Sequence, residues 1–287
     1  MLSYQHAFHA GNHADILKHY VLTYVLTSLN KKDKAYTFFD THSASGLYDF
    51  LDNRIIKTGE SQKGIQRILK SKNIPLQMQS YINLVKEYAE KSLYPGSPEI
   101  ERRLMRKQDK LVLSELHPQE IENLRQNMTQ PIIKSNSEPL IQIHKRNGWE
   151  MIKALAPPIT KRGAVLIDPS YEESQDYTDA SSTICQIHKK WSNGIIMLWY
   201  PLLLHRESEI NAMLRVIKEC VKEQNQNTEI SDLQLCLYDK NASNLPRLYG
   251  SGMLVINAPW QLEENALTVI DFVKNEIAPQ FQVEGTV

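Results

Sequence analysis

The feature that most constrains this chain is the run Arg162-Gly-Ala-Val-Leu-Ile-Asp-Pro-Ser-Tyr-Glu172, in which small and apolar residues lead straight into Asp168 and Pro169. Residues 164–167 are too few for a helix and too uniformly apolar for a strand with one wet face. They read as a strand buried on both sides, as in a parallel sheet. Pro169 cannot donate to a sheet ladder, so the chain must turn just after Asp168. In an open α/β sheet ligands bind at the carboxyl ends of the strands, which puts Asp168 at the candidate reactive end.

An acid, a proline and an aromatic in this order suit a reaction at a planar amino group. The lone pair of such a nitrogen is shared with a base ring, so it needs acceptors for two N–H groups and a flat surface against the ring. Asp168 can accept one hydrogen bond, the carbonyl of Pro169 the other, and Tyr171 can stack on the base. A base presented in this way is flipped out of its helix or already single-stranded. The tetrapeptide Asp168-Pro-Ser-Tyr171 resembles the Asp/Asn-Pro-Pro-Tyr/Phe motif of S-adenosylmethionine-dependent amino-methyltransferases. Ser170 replaces the second proline, a change expected to loosen the turn.

A chain of 287 residues can form one large α/β domain or two small ones. Its 33 basic and 33 acidic residues cancel, so any nucleic-acid site must be a local patch. Cys185, Cys220 and Cys236 are odd in number and lack CxxC spacing, which fits a reducing cytoplasm and argues against disulfides and structural zinc. No apolar run approaches the roughly 20 residues of a membrane span, and the N-terminus shows no signal-peptide pattern. A cytoplasmic protein without membrane contact is expected.

Residues 1–19 are dense in functional side chains: His6, His9, His13 and His19, with Asn12, Asp15 and Lys18. Leu17, Val21, Tyr24, Val25 and Leu29 fall at helical spacing, with Asn12 as the cap. His9 and His13 stand four apart, yet no third ligand accompanies them, so no metal is expected; exposure or helix capping is the plain reading of the histidines. A strand at 35–40 ends in Asp40, and the loop 41–46 stands where a nucleotide-binding fold places its close-approach turn. Residues 47–95 show no strand-like run and carry helical patterns near 61–72 and 76–91, a helical insertion after the first strand. Between Arg54 and Lys72 six basic residues face one acid, Glu60, either as a solvated helix face or as a grip on phosphates.

Further on, Ser97 is expected to cap a helix with Pro98 at its first position. A strand at 110–115 ends in Glu115, an acid suited to ribose hydroxyls. A helix at 118–128, a strand at 139–144, a helix opened by Asn147-Gly148, the strand 164–168 and a helix near 178–190 follow. Then come a strand at 194–200 stopped by Pro201 and a helix at 206–224. Strands at 232–239 and 252–257 leave no room for a helix and should pair as a hairpin. The outcome is α/β: a Rossmann-like class I methyltransferase sheet of seven mostly parallel strands, with residues 1–46 and 96–287 as one domain and 47–95 inserted.

Taken together these motifs resemble the bacterial 23S ribosomal RNA adenine-N6 methyltransferases of the RlmJ type. The likeness covers nearly the whole chain. It is carried by Leu2-Ser-Tyr-x-His-x-Phe-His-Ala-Gly-Asn-His-Ala-Asp15, Leu17-Lys-His19, Asp40-Thr-His42, Tyr94-Pro-Gly-Ser-Pro98, Glu115-Leu-His-Pro118, Leu198-Trp-Tyr-Pro201 and Ser251-Gly-Met-x-Val-Ile-Asn257. The resemblance implies methyl transfer from S-adenosylmethionine, giving S-adenosylhomocysteine, to the N6 amine of one adenine in 23S ribosomal RNA, position 2030 in the family's usual numbering. It implies that Lys18, His19, His42, Ser97, Glu115, Asn147, Gly148 and Asp168 form the cofactor site. Asp168, Pro169 and Tyr171 would serve catalysis, and Tyr4, His6, His9, Asn12, Arg54, Lys63 and Arg67 would meet the RNA. A monomer acting on RNA free of ribosomal proteins is expected. Ser43 and Ser45 stand in a loop that is usually more glycine-rich, and Asn147 replaces Asp; the side chain of Ser45 is expected to face the cofactor. A DNA adenine methyltransferase and a non-catalytic RNA-binding relative are the other readings of these residues.

Overall fold

The computed structural model describes residues 4–135, 137–238 and 247–283; Leu2, Ser3 and position 239 of the expected strand lie outside them. A short 3-10 turn at His6–Phe8 leads into α1 (His13–Asn30). Asn12 caps α1, its side-chain oxygen accepting from the backbone N–H of Ala14 and Asp15. β1 (Thr37–Asp40) follows and is buried throughout.

Two three-residue strands, β2 (Leu47–Asp49) and β3 (Leu93–Pro95), pair antiparallel at the base of the 47–95 block, where only helical patterns were legible. Strands this short leave no periodic signal. Between them run α2 (Asn53–Thr58), α3 (Glu60–Lys63), α4 (Ile65–Lys70) and α5 (Gln79–Ala89). The N–H of Gly96 donates to the carbonyl of Gly46 at 2.9 Å, so the two ends of the block meet.

The chain continues through α6 (Ser97–Leu104), β4 (Lys110–Glu115), α7 (Pro118–Thr129), β5 (Leu140–Lys145), α8 (Gly148–Leu155), β6 (Gly163–Ile167), α9 (Gln175–Lys190), β7 (Ile195–Leu203), α10 (Glu207–Gln224), β8 (Ile230–Cys236), β9 (Leu248–Ile256) and α11 (Leu262–Val283). Two expectations need correction here. Ser97 does not cap α6: Gly96 is the cap residue, and the Ser97 hydroxyl donates instead to Asp40 Oδ2 at 2.7 Å. Nor does Pro201 stop β7. Beyond Leu198 that strand has left β6 behind and keeps only β9 as a neighbour, an edge setting in which a missing N–H is tolerated. The helix α11 was not anticipated, although Ala266, Val269, Ile270, Val273 and Ile277 are all buried at helical spacing.

The seven-stranded sheet runs β5-β4-β1-β6-β7-β9-β8, with β9 antiparallel to both neighbours and the last two strands paired as expected. Side chains alternate between two cores. Phe38, Ala164 and Leu166 belong to the core shared with α1 and the 47–95 block, while Phe39, Val165 and Ile167 face the α8–α10 side. Helix α1 is buried on nearly every face because it is packed between the sheet, α6 and the 47–95 block. No helix among the described residues is long and apolar enough to cross a membrane. The chain order reverses between β1 and β6, so the ends of these strands, at Asp40 and Asp168, flank the switch point of the sheet.

Candidate active site

A cleft of ≈ 180 Å³ opens at this switch point, walled by the 41–44 loop, Ser97, Glu115, Asn147-Gly148 and Asp168-Pro169. The loop is fastened by Glu115, whose carboxylate accepts from the backbone N–H groups of Ala44 (2.8 Å), Leu116 (2.7 Å) and His117 (2.6 Å). Burial raises the pKa of Glu115 even so. Beneath the loop Asp40 is wholly buried and accepts from the Ser97 hydroxyl and the His42 N–H; burial pushes its carboxyl up to about 6.

Ser45 points the other way from what the sequence suggested. Its hydroxyl donates to Glu120 and accepts from Asn123 Nδ2 at 3.3 Å, both on α7, and it lines no wall of the cleft. A Cβ on Gly148 would stand 2.0 Å from the carbonyl of Thr41, so only glycine lets the start of α8 approach the loop this closely. Asn147 caps that helix, accepting from the Glu150 N–H at 3.2 Å. His42 sits edge-on to Trp149 with centroids 4.9 Å apart, and its Nδ1 lies 2.8 Å from Thr41 Oγ1. Burial depresses its pKa to about 4, leaving a neutral ring. His19 is likewise neutral, depressed to about 3 by burial, with Nδ1 2.8 Å from the Tyr94 hydroxyl.

The first turns of α1 carry the charges. Lys18 Nζ lies 2.6 Å from Asp168 Oδ2 and 2.9 Å from Asp15 Oδ1. Burial disfavours this ammonium, but the two carboxylates more than offset it and raise its pKa above the ordinary range. Asp15 accepts in turn from the N–H of Gly11 at 2.8 Å and lies 3.0 Å from His6 Nε2, whose Nδ1 is 3.0 Å from the Tyr4 hydroxyl. Although burial would raise it, Asp15 is held well below the usual carboxylate range by His6 and Lys18.

A second cavity lies on the far side of the Lys18–Asp168 pair, with Tyr171, Trp199, Pro201 and Leu203 in its wall. The two cavities share Tyr4, His6, Lys18, Asp168 and the exposed Ser170. Tyr171 adopts φ +52°, and its hydroxyl donates to the Trp199 carbonyl at 2.9 Å. Its ring packs 4.7 Å from that of Tyr177, so only part of it reaches the cavity.

The residues expected to meet RNA divide. Tyr4 stacks on His9 with ring centroids 5.9 Å apart, and His9 Nδ1 lies 3.0 Å from Glu60, which also accepts from Asn12. The hydrogen bond to Glu60 raises the pKa of His9. Arg54 is engaged by Asp52 and Gln5, and Lys63 ends α3. Arg67 lines neither cavity; its guanidinium donates to the Glu276 carbonyl on α11. Reading the sequence for the site missed Asp15 and Asp40. Both had a signal: Asp15 is one turn before Lys18 on the same helix face, and Asp40 ends its strand as Asp168 follows its own.

A family model described as "Ribosomal RNA large subunit methyltransferase D, RlmJ" matches residues 33–287. The ribosomal RNA large subunit methyltransferase J of Escherichia coli (strain K12) is 36% identical over 290 residues, covering 100% of this chain and 98% of that protein. Its namesake from Haemophilus influenzae is 35% identical over 284 residues, covering 98% and 95%. The crystal structure of a Legionella pneumophila protein superposes with a TM-score of 0.81 at 30% identity, covering 94% of this chain and 95% of that one.

Proposed function

Because the chain belongs to the RlmJ family of ribosomal RNA large subunit methyltransferases, we propose that it transfers a methyl group from S-adenosylmethionine to the N6 amine of one adenine in 23S ribosomal RNA, position 2030 in the family's usual numbering. The observation that carries this reading is the placement of Asp168, clamped by Lys18, at the seam of two cavities.

The first cavity suits the cofactor in its donor set. Glu115 offers a carboxylate to hydroxyls, Asn147 and Gly148 flank the adenine, and the glycine at 148 lets α8 start hard against the Thr41 carbonyl of the cleft loop. Neutral His42 and His19, with Ser97 and Lys18, complete its wall. When bound, S-adenosylmethionine supplies a methyl carbon that its sulfonium has already made electrophilic. The protein is left with alignment and desolvation. Lys18 occupies Asp168 Oδ2 and leaves Oδ1 to accept from the amine, the Pro169 carbonyl takes the other N–H, and the second cavity holds the base between Tyr4 and the Tyr171 edge. His6, His9 and Asn12, which line that cavity, meet the RNA, as do Arg54 and Lys63; Arg67, bonded to α11, does not. The 47–95 block acts as an inserted subdomain, the protein works as a monomer, and its RNA is free of ribosomal proteins.

The test is transfer of labelled methyl to unmodified, protein-free 23S RNA, with DNA and assembled subunits in parallel, followed by nucleoside analysis. Label in N6-methyladenosine from free RNA is the expected result. Label in DNA alone, or in another nucleoside, would overturn it.

A further inference from the structure

The edge of the sheet opposite the cleft, where the parallel strands begin, is rich in cations. Thr37 registers with both Lys110 and Gly163, so the turns that precede β1, β4 and β6 lie side by side. Arg106 reaches across from the second turn to the carbonyls of Lys32 (2.9 Å) and Lys34 (3.3 Å), and Arg162 from the third to those of Lys34 and Leu29. Each guanidinium stands 5.5 Å from the ring centroid of Tyr36. These two arginines are spent on holding the 31–34 turn in shape. Lys31, Lys32 and Lys34 on that turn are all exposed.

The surface extends to its neighbours. Lys107 is exposed in the turn beside them, and Lys161, whose carbonyl accepts from Trp191 Nε1 at 3.0 Å, brings in the end of α9 with Lys189 and Lys190. Around these turns acids cancel little of this charge: Asp109 is buried beneath Arg106 and Glu138 is paired with Arg102, which leaves Asp33 exposed among the lysines. Farther along the edge, towards β8 and α11, Glu229, Glu263 and Glu264 are exposed. The chain is neutral as a whole, so the charge is unevenly distributed rather than in excess. Within the 47–95 block the arginines expected to meet RNA, Arg54 and Arg67, are bonded within the protein.

We propose that this rear surface binds the phosphodiester backbone of the ribosomal RNA outside the segment presented to the cleft, which rests on RNA being the substrate. A turn already fixed by Arg106 and Arg162 costs little ordering when its lysines meet phosphates. Strands of four to six residues separate the two faces by roughly 13–20 Å at about 3.3 Å per residue, a short span for a folded ribosomal RNA domain. Binding is through charge and carries no sequence information.

The test uses the full chain and its variant K31E/K32E/K34E, which alters no residue of either cavity. Binding is measured over a salt series to two RNAs, a long 23S domain and a short stem-loop holding only the target adenine. The wild type should bind the long RNA more tightly. The variant should lose on the order of tenfold on the long RNA alone, with the slope of log K against log salt reduced by about 2–3. Unchanged melting temperature and S-adenosylmethionine affinity would show that the variant is folded. A variant equal to wild type on the long RNA, or weakened equally on both, overturns the proposal, as does a wild type indifferent to length. Failure of the wild type to methylate any RNA would sink the functional reading instead.

Discussion

Lys18 Nζ and Asp168 Oδ2 meet at 2.6 Å across 150 positions of sequence, and this contact ties the N-terminal helix to the end of the central strand β6. Removing one partner of a buried ion pair costs more than the pair itself is worth, about 3–5 kcal/mol, because the other charge is stranded. Lys18→Met should therefore lower turnover at least about 100-fold. It should also lower the melting temperature, since Asp15 and Asp168 then face one another without a counter-charge. Single-turnover methyl transfer and thermal melts check both.

Asp168→Ala should abolish turnover while S-adenosylmethionine binding stays measurable by calorimetry, because the remaining cofactor-cavity residues are untouched. Normal turnover in that variant would remove Asp168 from the reaction.

Acid should destabilise the fold through histidine. His19 and His13 are buried with pKa values depressed to about 3 and about 4, so between the ordinary 6.5 and those values the unfolded chain binds protons that the folded chain refuses. Their contribution is complete above pH 6.5 and is lost as pH falls through this window. Asp40 runs the other way: raised to about 6, it gains a proton in the folded state first and offsets part of the loss. The expected outcome is a falling melting temperature from pH 6.5 to 4.5, flattened in His19→Gln. An equally steep acid limb in that variant would contradict the assignment.

Gly148→Ala places a methyl 2.0 Å from the Thr41 carbonyl, which must move for the side chain to fit. A stability loss of about 2–3 kcal/mol is expected, as for other overpacked sites. Weaker cofactor binding should accompany it, because the same loop walls the cleft. Calorimetry separates the two effects.

Ser45→Gly is the reverse case. The hydroxyl faces α7, so cofactor affinity should stay within about twofold, while the lost bonds to Glu120 and Asn123 cost about 1–2 kcal/mol. A large gain in affinity would mean that Ser45 does obstruct the cleft.

The sheet was legible because strands buried on both faces are written as unbroken apolar runs, and because each cleft strand ends in or beside an acid. Pro201 misled, since the sequence does not reveal that β7 outlasts β6 and continues against β9 alone. Ser97 and Ser45 were placed in the right loops with the wrong aim: serine suits a cap, a carboxylate partner or a cleft wall equally, and only neighbours distant in sequence decide among them. Asp15 was obscured by its company, because a stretch of helix holding His13, Asp15, Lys18 and His19 reads as solvated, although all four are buried. The helix α11 was a plain omission, for its apolar spacing was there to be counted.

The hydrogen bond from Gly96 to Gly46 makes the 47–95 excursion a closed cassette. The entropy of closing a loop grows only slowly with its length, so such a cassette can lengthen, shorten or be exchanged over generations while its attachment points stay where they are. Inheritance can then act on the two parts at different rates. The strands that lead to Asp40 and Asp168 can then keep their geometry while the segment between the two glycines changes.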